Sequence, residues 1–537
     1  MTLNRRTFLL AGTSMLSVQA APSDQVTLGV IGSGSRGTFV MTVFQKDPAV
    51  KVLSICDVFE PNLETAISTA SKVPGTRPKA VRNYKELLAD KDVEAVIIAL
   101  PLHLHAPVAI KAMLKGKHVL VEKLMAHNVA QCKWMGRVSN RTRRLCSTGH
   151  QRHYSILYDN AVNLIRWGLL GQIHHIRAQW HRGNLPGNDT WAMPVPGGET
   201  YLDASGSQKL SDPIVDDIRR LQGDLLTTSG RERDMLTKKL AQWVKWDEDK
   251  TVDAQRYGYE ERELAGRRRS AIEELVRWRI WERTGGGLMA ELGSHQLDAA
   301  SIFISAMSKD KVHPLTVHAV GGRHIFPADR DADDHVYCML EFPGPKYSPD
   351  FKVGFRDVVN DYPNGGVPSF EEDPEKKVVV SYSSINGNGW GGYGEIVMGT
   401  KGTIVLETEQ EYQLYSTGGP ATFVDVTKGK DGALVLDTTA SAPPASAVGE
   451  KALGAGPVSR GYTEEIEHWA FCIENNPDAK DPAIQAKCKP EVAMADAIIA
   501  LTTNIAIRDN KRIEFKDDWF EIDNDETPEG EKPEEKV

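Results

Sequence analysis

The chain's patterned part begins with a run of apolar, mostly β-branched residues, Val26-Thr27-Leu28-Gly29-Val30-Ile31, which predicts a strand buried on both faces. A helical apolar stretch follows over Phe39 to Phe44, then a second strand over Val50 to Cys56. The alternation continues with a helix over Pro61 to Ser71, a strand over Ala95 to Leu100, a helix over Ala106 to Lys115 and a strand over His118 to Val121. Strands and helices in turn predict a parallel sheet covered on both faces. Further on the period changes. Thr316 to Val320, His335 to Phe342, Lys377 to Ser383, Gly394 to Met398 and Gly402 to Leu406 read as strands of one large sheet. Before them, Asp216 to Trp246 and Glu260 to Trp281 carry apolar residues at helical spacing and predict two charged helices, with Arg267-Arg268-Arg269 a solvated helix face. Tyr462 to Glu474 and Pro490 to Asn504 predict closing helices. Residues 417–460, rich in Gly, Ala, Ser and Pro, read as a surface excursion, and the acidic stretch 516–537 as a disordered tail.

Between the first strand and helix stands Gly32-Ser33-Gly34-Ser35-Arg36-Gly37, a G-x-G-x-x-G turn, and Asp57 ends the second strand 20 residues after Gly37. The first Gly allows the tight turn, the second lets backbone N–H groups approach a pyrophosphate, and the third permits close helix–strand packing. The helix start offers unpaired N–H donors and a positive dipole end to that anion. Asp57 would accept hydrogen bonds from adenosine ribose hydroxyls and repel a 2′-phosphate, which favours NAD over NADP. Arg36 works the other way, because a guanidinium in that loop can pair with either phosphate.

Composition narrows the class. A chain of 537 residues with net charge −9 and 26% charged residues can hold two domains and has no bias towards nucleic acid. Its six cysteines are scattered with no C-x-x-C pair, so neither a metal site nor a disulfide framework is expected. No apolar run beyond the N-terminus is expected to reach the length of a membrane span. Residues 1–21 form a separate unit: Asn4-Arg5-Arg6-Thr7-Phe8-Leu9 is a twin-arginine pattern, an apolar run follows, and Val18-Gln19-Ala20 fits a cleavage site. The mature protein is therefore expected in the periplasm or outside the cell.

Two strand tips carry candidate chemistry. Pro101-Leu102-His103-Leu104-His105 leaves one, and Glu122-Lys123 sits on the next. By position the acid–lysine pair reads equally as a solvated salt bridge or as a ligand contact in the crevice. Downstream, Glu291, His295 and Asp298 fall on one face of a helix introduced by Gly285-Gly286-Gly287. A carboxylate one turn before a histidine can orient its ring or raise its pKa. Trp180-His181-Arg182 leads into a turn-rich loop ending in Trp191, where aromatics and polar forks suit a sugar and a plain surface loop suits nearly as well. Trp390 and Tyr393, in the glycine-rich loop Gly387 to Gly394, are a further pair of that kind.

Together, the leader, the Gly32–Gly37 loop, Pro101…His105, Glu122-Lys123, Gly149-His150-Gln151-Arg152-His153-Tyr154 and the Gly285–Asp298 segment resemble the glucose–fructose oxidoreductase, inositol dehydrogenase and rhizopine-catabolism family (Gfo/Idh/MocA), in its sugar-related branch with twin-arginine leaders. The resemblance implies an α/β chain: a Rossmann domain over 26–148, then a C-terminal α/β domain over 149–515. That second domain would hold a large, mostly antiparallel open sheet, a helical insertion at about 200–280 and, on the sheet's outer face, contacts for a homo-oligomer. It implies a cofactor site from Gly32, Ser33, Gly34, Ser35, Arg36, Gly37, Asp57, Pro101, His105, Glu122 and Lys123. It further implies that Lys123 hydrogen-bonds the reacting oxygen, that His295 accepts its proton with Glu291 supporting it or contacting the sugar, and that Arg152, Tyr154, Trp180, Arg182 and Asp298 touch the substrate. Leu124 departs from the family's Glu-Lys-Pro, and Glu291 stands where many members have Asp. The expected activity is oxidation of a sugar or cyclitol hydroxyl. Two alternatives are a redox-neutral, NAD-dependent glycosidase or lyase and a non-catalytic sugar-binding protein.

Overall fold

The computed structural model describes residues 25–308, 310–348, 373–409, 411–416, 422–428, 434–437 and 460–533. The expected leader and most of the 417–460 stretch lie outside them. Six parallel strands, β1 (Val26–Ile31), β2 (Val50–Cys56), β3 (Lys79–Val81), β4 (Ala95–Ile98), β5 (His118–Val121) and β6 (Cys146–Thr148), run in the order β3-β2-β1-β4-β5-β6. Helices α1 (Ser35–Phe44), α2 (Glu60–Ala70), α3 (Tyr84–Ala89), α4 (His105–Leu114) and α5 (Val129–Thr142) connect them. Every residue of β4 and β5 is buried, as continuous apolar runs require. The order reverses between β1 and β4, so their carboxyl ends open the ligand crevice.

The second domain starts with α6 (Ile156–Arg166) and β7 (Ile173–Trp180). The insertion then adds the hairpin β8 (Glu199–Leu202) and β9 (Gln208–Ser211), helices α7 (Pro213–Thr227) and α8 (Gly230–Glu248), and a hairpin of β10 (Arg262–Leu264) and β11 (Arg267–Arg269). The main sheet is completed by β12 (Thr316–Gly322), β13 (His335–Pro343), β14 (Lys377–Ile385), β15 (Tyr393–Gly399), β16 (Gly402–Glu407), β17 (Glu411–Ser416), β18 (Thr422–Lys428), β19 (Leu434–Asp437) and β20 (Ile513–Glu514). Its order is β19-β18-β17-β16-β15-β7-β14-β13-β12-β20, with only β7 and β14 parallel among the described strands. The strict burial alternation along β14 shows why these strands were legible as half-buried.

Four expectations change. Glu260–Trp281 is not one helix: Ala265 and Gly266 both take positive φ, the two-residue turn of a hairpin, and Arg269 is buried against Glu273 at 2.7 Å rather than solvated. The 417–460 stretch contains β18 and β19, which extend the sheet. Helix Pro490–Asp509 is long and apolar enough to cross a membrane, but it is a buried core helix between α5 and β12. The tail is ordered through residue 533. Lys133, buried in α5, donates to the carbonyls of Asp518, Glu521 and Asn524 at 2.8 Å each, and Trp519 is buried. Acidic composition misled there because the backbone, not the side chains, satisfies this ammonium.

The two domains share a core. Helix Tyr462–Asn475 returns to the first domain and buries Ile466, Trp469 and Ile473 among Leu28, Val30 and Met41. That packing fixes the crevice walls relative to each other.

Candidate active site

The chain leaves β1 through Gly32, at φ +86°, where a Cβ would run into the Ala99 carbonyl. A Cβ on Gly37 would likewise strike the Gly32 carbonyl, whereas one on Gly34 would have no neighbour closer than 3.6 Å. Two glycines thus serve packing, and the third leaves open the surface beside the N-terminus of α1, which no side chain caps. Asp57 steadies the loop: it accepts from the Ser33 N–H at 2.7 Å, the Ser33 hydroxyl at 3.3 Å and the Phe59 N–H at 2.9 Å. Burial pushes the Asp57 carboxyl up, against those hydrogen bonds. Arg36 is turned away from a 2′-phosphate: its Nε donates to Glu122 at 2.6 Å and its guanidinium lies 4.6 Å from the Tyr462 ring centre. The open Gly34 surface, the uncapped helix and the fixed carboxylate fit a dinucleotide with free ribose hydroxyls.

Beyond the cradle, β5 carries Lys123 to the crevice. Its Nζ donates to the carbonyls of Glu291 at 2.5 Å and Ala290 at 3.2 Å, on a π-helical turn (Met289–Gly293) that leads into helix Ser294–Ser305. Burial lowers the Lys123 pKa, against the pull of Glu291 and Glu122. His295 is buried, its Nδ1 has no partner, and its ring centre lies 5.6 Å from that of Trp180. Burial, with Lys123 and Arg152 nearby, drives its pKa well below the ordinary value, so the imidazole is neutral and able to accept a proton. Trp180 stacks on Tyr393 at 4.5 Å and 19°, and the Arg182 guanidinium lies 5.7 Å from the Trp180 ring centre and 6.0 Å from that of Trp191. Aromatic faces and a guanidinium beside a proton acceptor make a site that can seat a polyol and deprotonate one hydroxyl.

Residues 26–150 match the family described as "Oxidoreductase family, NAD-binding Rossmann fold", GFO_IDH_MocA. That match takes in the whole first domain, the NAD-binding one, and the chain has the fold of sugar oxidoreductases. A "Glycosyl hydrolase family 109 protein" of Shewanella baltica is 32% identical over 174 residues, covering 32% of this chain and 38% of that protein. An "Alpha-N-acetylgalactosaminidase" of Shewanella oneidensis is 30% identical with the same coverage. The chain thus spans less than half the length of these relatives. Over 91% of this chain the fold is that of levoglucosan dehydrogenase in complex with NADH and levoglucosan, with TM-score 0.53, 16% identity and 99% of that chain covered. Aldose–aldose oxidoreductase from Caulobacter crescentus gives TM-score 0.51 at 15% identity, over 91% of this chain and 100% of that one.

Several expected contacts turn out to be internal. His105 is buried and its ring nitrogens lie 2.7 Å from the Leu124 carbonyl and 2.8 Å from that of Leu100. It is therefore a brace that holds the Lys123 strand tip, not a cofactor contact, and it does so where Leu124 replaces the family's proline. Arg152 is buried and spends its guanidinium on Glu409 at 2.7 Å, Glu395 at 2.9 Å, Gln296 at 2.5 Å and the His295 carbonyl at 2.5 Å. Tyr154 is buried and accepts from the Lys487 N–H at 2.7 Å. Asp298 is buried 2.9 Å from His153. All three spend their polar groups on protein. For Asp298 the physical reason is that helix Ser294–Ser305 is buried almost all round, so its polar face meets protein rather than a crevice. Glu291 does not support His295 either: its carboxylate pairs with Arg279 at 3.0 Å. Burial would raise the Glu291 pKa, but Arg279 and then Lys123 outweigh it and hold the carboxyl at about 2.

Donors of His150, Asp298 and Asp496, and of His153, Cys488 and Asp496, cluster within 4.8 Å beneath the cleft. The cluster is charge-balanced by protein alone. Lys311 holds Asp496 at 2.7 Å, and His153, which burial would lower but Asp298 raises to about 9, is a cation. Two carboxylates thus face two cations. Sequence reasoning missed Arg279, twelve residues before its partner Glu291, and also Glu409 and Arg460, whose partners Arg152 and Tyr393 lie far along the chain. His150 and His153 carried a signal, since both fall in the Gly149–Tyr154 segment.

Proposed function

We propose that this protein oxidises a hydroxyl of a sugar or cyclitol in the cleft between Lys123 and His295. The observation that carries the reading is a buried imidazole whose Nδ1 has no partner, beside a tethered ammonium and an aromatic pair. The apolar face of a pyranose stacks on Trp180, and Arg182 donates to ring substituents. Lys123 donates to the reacting oxygen and stabilises negative charge there, and His295 takes the hydroxyl proton on an imidazole nitrogen. Bound NAD supplies the hydride acceptor. The imidazolium formed in so buried a place is disfavoured, so His295 returns its proton readily.

A second reading is favoured by the glycosidase names of the relatives. Here the hydroxyl is oxidised only transiently, the C–H beside the new carbonyl becomes acidic and loses its proton, the glycosidic group leaves as an alcohol, water adds to the double bond so formed, and the carbonyl is reduced again at the end of the cycle. Lys123 would hold the same oxygen throughout. We extend the proposal to export through Arg5-Arg6, tested by finding the N-terminus of the periplasmic protein near Ala21. To separate the readings, NAD-loaded protein is given free sugars and aryl glycosides while absorbance at the reduced-nicotinamide band and released aglycone are followed. Net reduced nucleotide supports the dehydrogenase, aglycone without it supports the glycosidase, and neither from a nucleotide-bearing protein contradicts both.

A further inference from the structure

The insertion does not stand apart from the nucleotide domain. Its helix α8 packs on α2, the helix that follows Asp57, and Trp246 meets Phe59 edge-on at 6.5 Å, with Trp243 supporting it at 5.1 Å. From there the chain runs through two short turns, Asp249–Thr251 and Ala254–Tyr257, towards Tyr259. Asp249 is buried where it feels both Arg82, beyond β3, and Asp57, beyond β2. Tyr259 is buried where it too feels Asp57, and its ring lies 5.1 Å from that of His103, beyond β4.

The far end is anchored as firmly. Ala254, Tyr259 and Ala271 form a small core of their own, and Leu104 of the loop beyond β4 packs into it. Arg283 donates to the Gly258 carbonyl at 3.1 Å and is itself held by Glu274. A segment fixed at Phe59 and at Leu104 therefore bridges the tips of β2, β3 and β4. In an open parallel sheet those tips are the adenosine side of the nucleotide crevice, which such a bridge covers.

We propose that the segment from Trp246 to Tyr259 is a fourth wall of the adenosine pocket, retaining NAD between turnovers and, through Asp249, excluding nucleotides with a 2′-phosphate. The proposal rests on NAD occupying the Gly32–Asp57 cradle. A pocket walled by two carboxylates accepts ribose hydroxyls and repels a phosphate dianion. Burial, opposed by Arg82 and reinforced by Asp57, pushes the Asp249 pKa up to about 6, so its repulsion is present at neutral pH and fades in acid. Retention suits a cycle in which the hydride returns to the product and no nucleotide is exchanged.

The test uses the full-length protein loaded with radiolabelled NAD and chased with excess unlabelled NAD. Trp246→Ala should release label about tenfold faster, the factor that about 1.4 kcal/mol of lost aromatic packing supplies, and Trp246→Phe should restore slow release. Asp249→Asn should raise NADP affinity relative to NAD by about tenfold or more. Release from Trp246→Ala at the wild-type rate would overturn retention, and so would equally fast release from Trp246→Phe. An unchanged NAD-to-NADP ratio in Asp249→Asn would overturn the exclusion. A wild-type protein that binds neither nucleotide would overturn the cradle and the wall together.

Discussion

The nucleotide cradle draws its parts from Gly32 to Asp57, a single strand–helix–strand unit, whereas the reaction cleft gathers Lys123, Trp180, Glu291, His295 and Tyr393 from across the chain. The cradle is made of backbone: glycines whose missing Cβ atoms permit close approach, an uncapped helix end and one carboxylate pinned by N–H groups. The cleft is made of side chains whose protonation is set by burial and by one another. Damage to the first should therefore appear as lost nucleotide. Damage to the second should appear as lost turnover with the nucleotide still in place.

The sharpest separation should come from His295→Asn. Removing the proton acceptor is expected to cut kcat by about 10²–10⁴-fold while NAD titration by calorimetry stays as in wild type. A parallel fall in NAD affinity would merge the two regions. Gly37→Val is the converse. Its added bulk meets the Gly32 carbonyl, and NAD should bind about 10- to 100-fold more weakly, as about 1–3 kcal/mol of overpacking implies. Smaller again, Lys133→Met removes a buried ammonium from three carbonyls at 2.8 Å and leaves each with one longer hydrogen bond, from the Glu521 N–H, the Asn524 N–H and Arg137. It should cost about 1–3 kcal/mol of stability, read as a lower Tm, with NAD affinity untouched. Unchanged Tm would mean that the tail adds nothing to the first domain.

The smallest effect concerns the polar cluster under His295. His153 is raised from 6.5 to about 9, because Asp298 outweighs its burial. Its contribution to stability is complete below about 6.5 and lost as pH rises through about 9. Tm should therefore decline by a few degrees over that window, and His153→Gln should flatten the decline. An equal decline in both proteins would place the titration elsewhere.

The contrast between the regions also explains what sequence could deliver. The cradle was legible because its requirements are local: a glycine that must take positive φ, and an acid at a fixed offset on the next strand tip. Lys123 and Trp180 could be placed for the same reason, each standing at the tip of a strand. Asp298 could not, since helical spacing shows which residues share a face but not what covers it, and protein covers both faces; Arg152 could not, because its partners Glu395 and Glu409 lie more than 240 residues along the chain. Glu291 was assigned to His295 by spacing and taken by Arg279, twelve residues before it. The tail looked disordered on charge alone because its order depends on Lys133, more than 380 residues away.

The most direct test of the central claim compares wild type with Lys123→Ala, both loaded with NAD, in a single turnover on the substrate that the sugar panel identifies. The wild type should show the reduced-nicotinamide band appear, lasting for a dehydrogenase and transient for a glycosidase. The variant should carry the same amount of nucleotide and show no band. An equal band in both proteins would contradict the role of Lys123 and, with it, the placement of the chemistry in this cleft.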